Sequence, residues 1–296
     1  MFEILVLSGK GGTGKTSLTA AFAHLAAEKS MGDTVICDLD VDAPDLHLIL
    51  HPQQTVSEDF VSGHEAVILE EKCEQCGICT DMCHFGAVSA TPLPRVNPMK
   101  CEGCKVCVTF CPVQAIAFRP KHCGEWYLSE SRFGPMVHAR LFPGEENSGR
   151  LVSLLKQRAK ELAEQKSCSL VLSDGPPGIG CPVISSLSGA SLVVNVSEPT
   201  PSGLHDLERV TELCEHFRIP SGVIINKADL NEKISTRIEE FCAEKKMGFL
   251  GHLPHNPVIT EAMIRGQAVT EYESKDFSEA VRKVWNTISE MKGKYQ

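Results

Sequence analysis

Two groups of residues in this chain have the types and spacing to do chemistry. Gly9-Lys10-Gly11-Gly12-Thr13-Gly14-Lys15-Thr16 fits G-x4-G-K-[ST], a loop whose glycines let backbone N–H groups close around phosphate oxygens at the positive end of a helix. In such a loop Lys15 reaches the β- and γ-phosphates and the Thr16 hydroxyl ligates Mg2+. The second group is Cys73, Cys76, Cys79 and Cys83, spaced C-x2-C-x2-C-x3-C and repeated by Cys101, Cys104, Cys107 and Cys111 at a constant offset of 28 residues. Thiolates so spaced suit [4Fe-4S] clusters. Zinc is the rival, since it too uses C-x2-C pairs, but the third cysteine and the x3 interval favour the cubane.

Phosphate chemistry of this kind needs a strand before the loop and a helix after it. Residues 2–7 read as a buried strand and 15–29 as an apolar-periodic helix, so the loop has that frame. Further buried strands at 34–38, 170–173, 192–196 and 222–226, with helical patterns at 202–217 and 232–246, predict an α/β fold with a mostly parallel sheet flanked by helices. The alternation stops between 61 and 120, where eight cysteines lie. This predicts a small α+β insertion at 61–120 within a discontinuous P-loop domain made of 1–60 and 121–296. Residues 121–150 read as a hairpin or loop excursion. In the stretch 277–291, Val281, Val284, Trp285 and Ile288 share one helical face, which favours core packing over a membrane-binding helix.

Composition narrows the function classes. With 42% hydrophobic and 23% charged residues the chain is globular, and its formal charge of -9 opposes a nucleic-acid surface. No run approaches a membrane span and the run Ile4–Leu7 is too short for a signal core, so a cytoplasmic location is expected and membrane association is not. In that setting fourteen cysteines point to metal rather than disulfides.

Lys10 makes the loop KGGTGKT, which resembles the deviant Walker A of the MinD/ParA/Mrp superfamily. The resemblance implies ATP hydrolysis in a nucleotide-dependent homodimer, with Lys10 crossing to the partner's phosphates and Gly11, Gly12, Thr13, Gly14, Lys15, Thr16 and Ser17 around the nucleotide and Mg2+. Asp38-Leu39-Asp40-Val41-Asp42 resembles the family's first switch, in which Asp40 would position the attacking water and Asp38 would stand on the metal side. Asp42 and Asp45 could equally cap a helix. Asp174-Gly175-Pro176-Pro177-Gly178 resembles the second switch, with Asp174 behind the Mg2+ and the Gly178 N–H sensing the γ-phosphate. Asn226-Lys227-Ala228-Asp229 resembles both the family's adenine-contacting asparagine and the N-K-x-D guanine motif. ATP is favoured because Lys10 and the Leu253–Val258 segment match the ATPases, in which Pro254 would border adenine; GTP stays open.

Pro112, after Cys111, completes the signature of bacterial ferredoxins. That resemblance implies crosswise ligation, with Cys73, Cys76, Cys79 and Cys111 on one cluster and Cys101, Cys104, Cys107 and Cys83 on the other. His84 departs from the pattern, standing where a proline is expected. Cys181 lies seven residues after Asp174, the offset of a bridging-cluster cysteine in the similar nitrogenase iron proteins; Cys123 is its second candidate only by elimination. Cys37, Cys168, Cys214 and Cys242 read as small buried hydrophobes. The expected cofactors are ATP, Mg2+ and two [4Fe-4S] clusters, and the expected partners are a second copy and a redox or cofactor-assembly protein. The leading functional expectation couples the dimer switch to electron transfer. The alternatives are metal-cofactor maturation and a positioning or regulatory ATPase whose clusters sense redox state.

Overall fold

β1 (Phe2–Ser8) is apolar at most positions and buried from end to end, as a central strand covered on both faces must be. It turns through the glycine loop into α1 (Lys15–Lys29), where alanines at 20, 21, 23, 26 and 27 let the helix lie close on the sheet around Leu18, Phe22 and Leu25. The chain continues through β2 (Thr34–Asp38), α2 (Leu46–Leu50) and β3 (Gln53–Ile68), then α3 (Ile78–Asp81), β4 (Val88–Ser89), β5 (Arg95–Val96) and α4 (Val106–Thr109). It goes on through β6 (Ile116–Ser131), β7 (Gly134–Leu141), α5 (Ser148–Lys166), β8 (Leu170–Pro177), α6 (Cys181–Leu187), β9 (Leu192–Ser197), α7 (Pro201–Phe217) and β10 (Ser221–Asn226). The last elements are α8 (Glu232–Glu244), β11 (Gly248–Leu253), α9 (Val258–Ile264) and α10 (Lys275–Tyr295). This computed structural model describes residues 1–90, 92–145, 147–272 and 275–295.

The chain divides into two units, the first made of 1–58, 126–140 and 148–296 and the second of 59–125 and 141–147. A nine-stranded sheet runs β11-β10-β9-β1-β8-β2-β7-β6-β3, and β11, β10, β9, β1, β8, β2 and β7 pair in parallel. The parallel sheet with flanking helices matches the expectation. Three parts of it were not anticipated. β11 is one, and α5 is the second, its apolar stripe Leu151, Val152, Leu155, Ala159, Leu162 and Ala163 buried at helical spacing. The third is the extension through β7, β6 and β3, of which the β6–β7 hairpin resolves the 121–150 segment in favour of a hairpin over a loop. α10 buries Phe277, Val281, Val284, Trp285 and Ile288, with Trp285 stacked on Phe22 at 5.3 Å, so this amphipathic face is core. Among the described residues no helix is long and apolar enough to cross a membrane.

His138 on β7 is buried beside Tyr127 and His47, and Ser129 Oγ lies 2.9 Å from its Nε2. Burial, helped by His47, lowers its pKa from 6.5 to about 4. The unfolded chain therefore binds this proton more readily than the folded one. Stability from this group is complete above about pH 6.5 and falls as pH drops toward 4, by up to about 3 kcal/mol. Denaturant unfolding across that range should show this slope, and His138→Gln should flatten it.

In the second unit the 28-residue offset is structural as well as sequential. α3 and α4 stand at equivalent positions, and the left-handed residues recur in pairs: Gln75 with Gly103, Gly77 with Lys105, Gly86 with Gln114. The hydrogen bonds are exchanged between repeats, Leu69 N–H donating to the Ala115 carbonyl and Asn97 N–H to the Ala87 carbonyl, each at 2.7 Å. Each repeat thus completes the other's strand pairing.

Candidate functional site

Parallel pairing of β2 with β8 sets Asp38 level with Asp174, bringing two carboxylates to the carboxyl edge of the sheet beside the loop that follows β1. Ligands of open α/β sheets bind at such an edge. Lys15 is 6% exposed, and its Nζ lies 3.0 Å from Asp174 Oδ1 and 3.4 Å from Asp40 Oδ2. Thr16 donates its hydroxyl to Asp174 Oδ2 at 2.7 Å and Thr19 donates to Asp174 Oδ1 at 3.0 Å. The Asp40 N–H donates to Asp38 Oδ1 at 3.1 Å, while Asp38 Oδ2, fully buried, has no hydrogen-bond partner among the described residues.

The electrostatics follow from this crowding. Burial, and then the neighbouring Asp174, push the Asp38 carboxyl far above the usual carboxylate range. Burial also raises Asp40, with Lys15 partly offsetting it. Burial opposes the Lys15 charge, but Asp174, Asp40 and Asp38 outweigh it and raise its pKa. Three carboxylates converge on one ammonium.

A cavity of about 550 Å3 opens here, within the usual size of small-ligand sites. Gly11, Gly12, Thr13, Gly14, Lys15, Thr16, Ser17, Asp40 and Asn226 line it. So do Ile259 and Met263, which sequence reasoning missed, and Asp45, Pro177, Lys227, His255 and Asn256, which it named within motifs without assigning them to the nucleotide. Asp45 precedes α2 without a side-chain cap bond, and its acidity in a helix-cap position hid its place on the cavity. Asn226 Nδ2 donates to the Thr13 carbonyl at 2.7 Å, and a Cβ at Gly14, where φ is 89°, would stand 2.5 Å from that amide nitrogen.

Several residues of the quoted motifs stand away from the cavity lining. Pro254 is exposed and does not line the cavity; His255 and Asn256 do. The Gly178 N–H donates to the Ser8 carbonyl at 3.0 Å, and Pro177 is the residue of its turn that reaches the cavity. Lys10 lies off the cavity, its Nζ 3.1 Å from Glu198 Oε2 and 3.3 Å from Thr200 Oγ1. Glu198 also pairs with Lys227; burial opposes its charge, but Lys227 and Lys10 hold its carboxyl below the ordinary value. Asp229, the acidic member of the guanine-like motif, accepts the His255 N–H and does not line the cavity either.

In the second unit Cys73, Cys76, Cys79 and Cys111 line one cavity with Ile68, Ile78, Pro94 and Ile116. Burial, and then Cys101, Cys104 and Cys79, push the Cys107 thiol up. Cys83 and Cys111 accept equivalent bonds, from Ala87 N–H and Ala115 N–H, both at 3.2 Å. No three His, Cys, Asp or Glu side chains among the described residues are gathered tightly enough for a single metal ion. Cys181 is exposed at the start of α6, whereas Cys123 is buried and donates its thiol to the Ser62 carbonyl at 3.1 Å, which removes it as a surface ligand. Cys37, Cys168, Cys214 and Cys242 are buried.

The chain is 32% identical over 232 residues to the uncharacterized protein MJ0578 of Methanocaldococcus jannaschii, covering 78% of this chain and 80% of that one. It is 26% identical over 290 residues to MJ0579 of the same organism, covering 97% and 98%. The solved structure of the septum site-determining protein MinD complexed with Mg-ADP, from Pyrococcus horikoshii, matches with a TM-score of 0.62 at 17% identity, over 100% of this chain and 98% of that one. At that identity the likeness speaks for the fold. Residues 4–269 match the CobQ/CobB/MinD/ParA nucleotide binding domain, and the chain belongs to that family.

Proposed function

We propose that this protein hydrolyses ATP in a nucleotide-dependent homodimer and that this switch governs electron transfer through two [4Fe-4S] clusters held by the second unit. The observation that carries the reading is that Cys73, Cys76, Cys79 and Cys111, drawn from two repeats, surround one shared space in a chain that also presents a phosphate loop. A four-iron cube that gives each sulfur its own iron needs such a space, where a zinc ion needs its thiolates gathered on one point. Bound there, the clusters would supply one-electron chemistry. The cysteines would ligate them, and the Ala87 and Ala115 N–H groups would bond to the Cys83 and Cys111 sulfurs, stabilising added negative charge.

At the first site the donor set fits a divalent cation: the Thr16 hydroxyl, the Asp174 carboxylate and the unpartnered Asp38 Oδ2, with a single ammonium set against three acids. Lys15 would exchange Asp174 and Asp40 for phosphate oxygens, and Asp40, released from Lys15, would orient the attacking water. Because Asp40 must be ionised to do so and its pKa is raised, hydrolysis should begin to fall with acidification at a higher pH than an ordinary aspartate would give. A pH profile of steady-state turnover measures this. The withdrawal of Asp229 from the cavity leaves guanine without its carboxylate acceptor and supports ATP over GTP.

Lys10 would leave Glu198 to reach a partner's phosphates. Lys10→Ala should therefore abolish ATP-dependent dimerisation in size-exclusion chromatography while ATP still binds the monomer. A dimer that persists in this variant would remove Lys10 from the switch.

The test of the whole reading is an anaerobic potentiometric titration with electron paramagnetic resonance, with ADP and then with a non-hydrolysable ATP analogue. About eight irons per chain and a nucleotide-dependent shift support it; coupling of about 1–3 kcal/mol would move a one-electron potential by roughly 40–130 mV. Eight irons with unchanged potentials would favour a second reading, metal-cofactor maturation, for which the exposed Cys181 offers a transfer ligand, or a regulatory ATPase.

A further inference from the structure

The 28-residue offset allows the two repeats to be compared position by position, and their charges differ. Glu74 matches Glu102 and Lys72 matches Lys100, so these cancel in the comparison. Glu70, Glu71 and Asp81 of the first repeat face Pro98, Met99 and Thr109 of the second, and Gly77 faces Lys105. One exposed ion pair, between Glu70 and Arg95 at 3.5 Å, moderates the first repeat's acidity and leaves Glu71 and Asp81 uncancelled.

Lys105 is the most telling of these differences. It stands between Cys104 and Cys107 with φ 67°, where the first repeat has Gly77 at φ 81°. A lysine held in the left-handed region is strained where glycine is not. Its ammonium is also placed, 5.5 Å over the Phe118 ring, which in turn stacks on His64 at 4.6 Å. The chain thus accepts strain to carry a lysine on the loop of three cysteines.

We infer that Lys105 makes the set Cys101, Cys104, Cys107 and Cys83 the more easily reduced of the two, so that the first electron resides there. This rests on the two-cluster reading. A reduced cluster carries one more negative charge, which an ammonium borne on the same cysteine loop stabilises and the Glu71 and Asp81 carboxylates of the first repeat oppose. Between the sets the step is one electron. The site of Cys73, Cys76, Cys79 and Cys111 is oxidised as the other is reduced, with no proton moved and no bond broken, after a low-potential one-electron donor has loaded the chain.

The experiment uses the full chain, reduced anaerobically with dithionite, after iron and sulfide have been counted. Wild type should show two separate potentials. Lys105→Gly, which installs the first repeat's own residue and relieves the strained backbone, should lower the upper potential and leave the lower one in place. Lys105→Arg should keep the upper potential, because charge rather than packing is responsible, and Asp81→Thr should raise the lower one. Two equal potentials in wild type overturn the inference, as does a Lys105→Gly variant with eight irons in which the upper potential is unmoved. A wild-type chain without iron overturns the cluster reading itself, which is a separate and earlier result.

Discussion

Lys15→Ala should lower ATP turnover by at least about 100-fold, the scale of losing one buried charge-stabilising donor, while the iron content of the second unit stays at the wild-type level. Lys15 is the cation at the centre of Asp174, Asp40 and Asp38, placed to meet the charge that develops on a transferring phosphoryl group. The same geometry predicts a second effect. Removing the ammonium leaves three carboxylates buried together, a loss on the order of 3–5 kcal/mol for a broken buried pair. Protonation of the acids relieves it, so the fall in melting temperature should be larger at pH 8 than at pH 5. Lys15→Arg should recover much of that stability and little of the turnover, since its wider planar head does not fit the loop as an ammonium does. Phosphate release and calorimetry on the three proteins decide the matter. An active Lys15→Ala protein would remove the site, and one that lost its iron would show that the two units do not act as separate modules.

Cys111→Ser should lose the same half of the iron as Cys73→Ser, although 38 positions separate the two residues and Cys111 belongs by sequence to the other run. The prediction comes from the cavity that Cys111 shares with Cys73, Cys76 and Cys79. Each variant should retain about four of about eight irons, and the paramagnetic spectrum that remains should be common to both. Cys83→Ser and Cys104→Ser should share the other spectrum. Should Cys111→Ser instead match Cys104→Ser, each run would hold its own cluster and the crosswise assignment would fall.

Much of this was legible in the sequence because the relevant physics is local. A fully buried parallel strand is apolar at most positions, so β1 and β9 could be read directly; the glycine loop between β1 and α1 and the paired cysteine runs are short-range patterns of the same kind. What stayed hidden depends on long-range placement. β3 and β6 alternate buried and exposed positions without a sustained pattern, and the 121–150 segment gave no sign of which sheet edge its hairpin would join. Pro254, Gly178 and Asp229 carry familiar neighbours in sequence, but whether each reaches the cavity is decided by how the turns after β8, β10 and β11 fold over it. The pairing of Lys10 with Glu198 could not be foreseen either, since 188 residues separate them and no spacing rule links them.

The contact of Asn226 with Thr13 and Gly14 bears on how nucleotides are told apart. Under the proposed function, one amide ties the loop that would border the base to the glycine loop, so a base that displaced Asn226 would also shift the phosphate cradle. Discrimination then falls on the chemical step as well as on affinity: a poorly matched nucleotide should bind with a modest change in KM and turn over with a much reduced kcat, because misplacement by about 1 Å can cost on the order of 100-fold in rate. Fidelity would then be a property of alignment, and a binding assay alone would understate it.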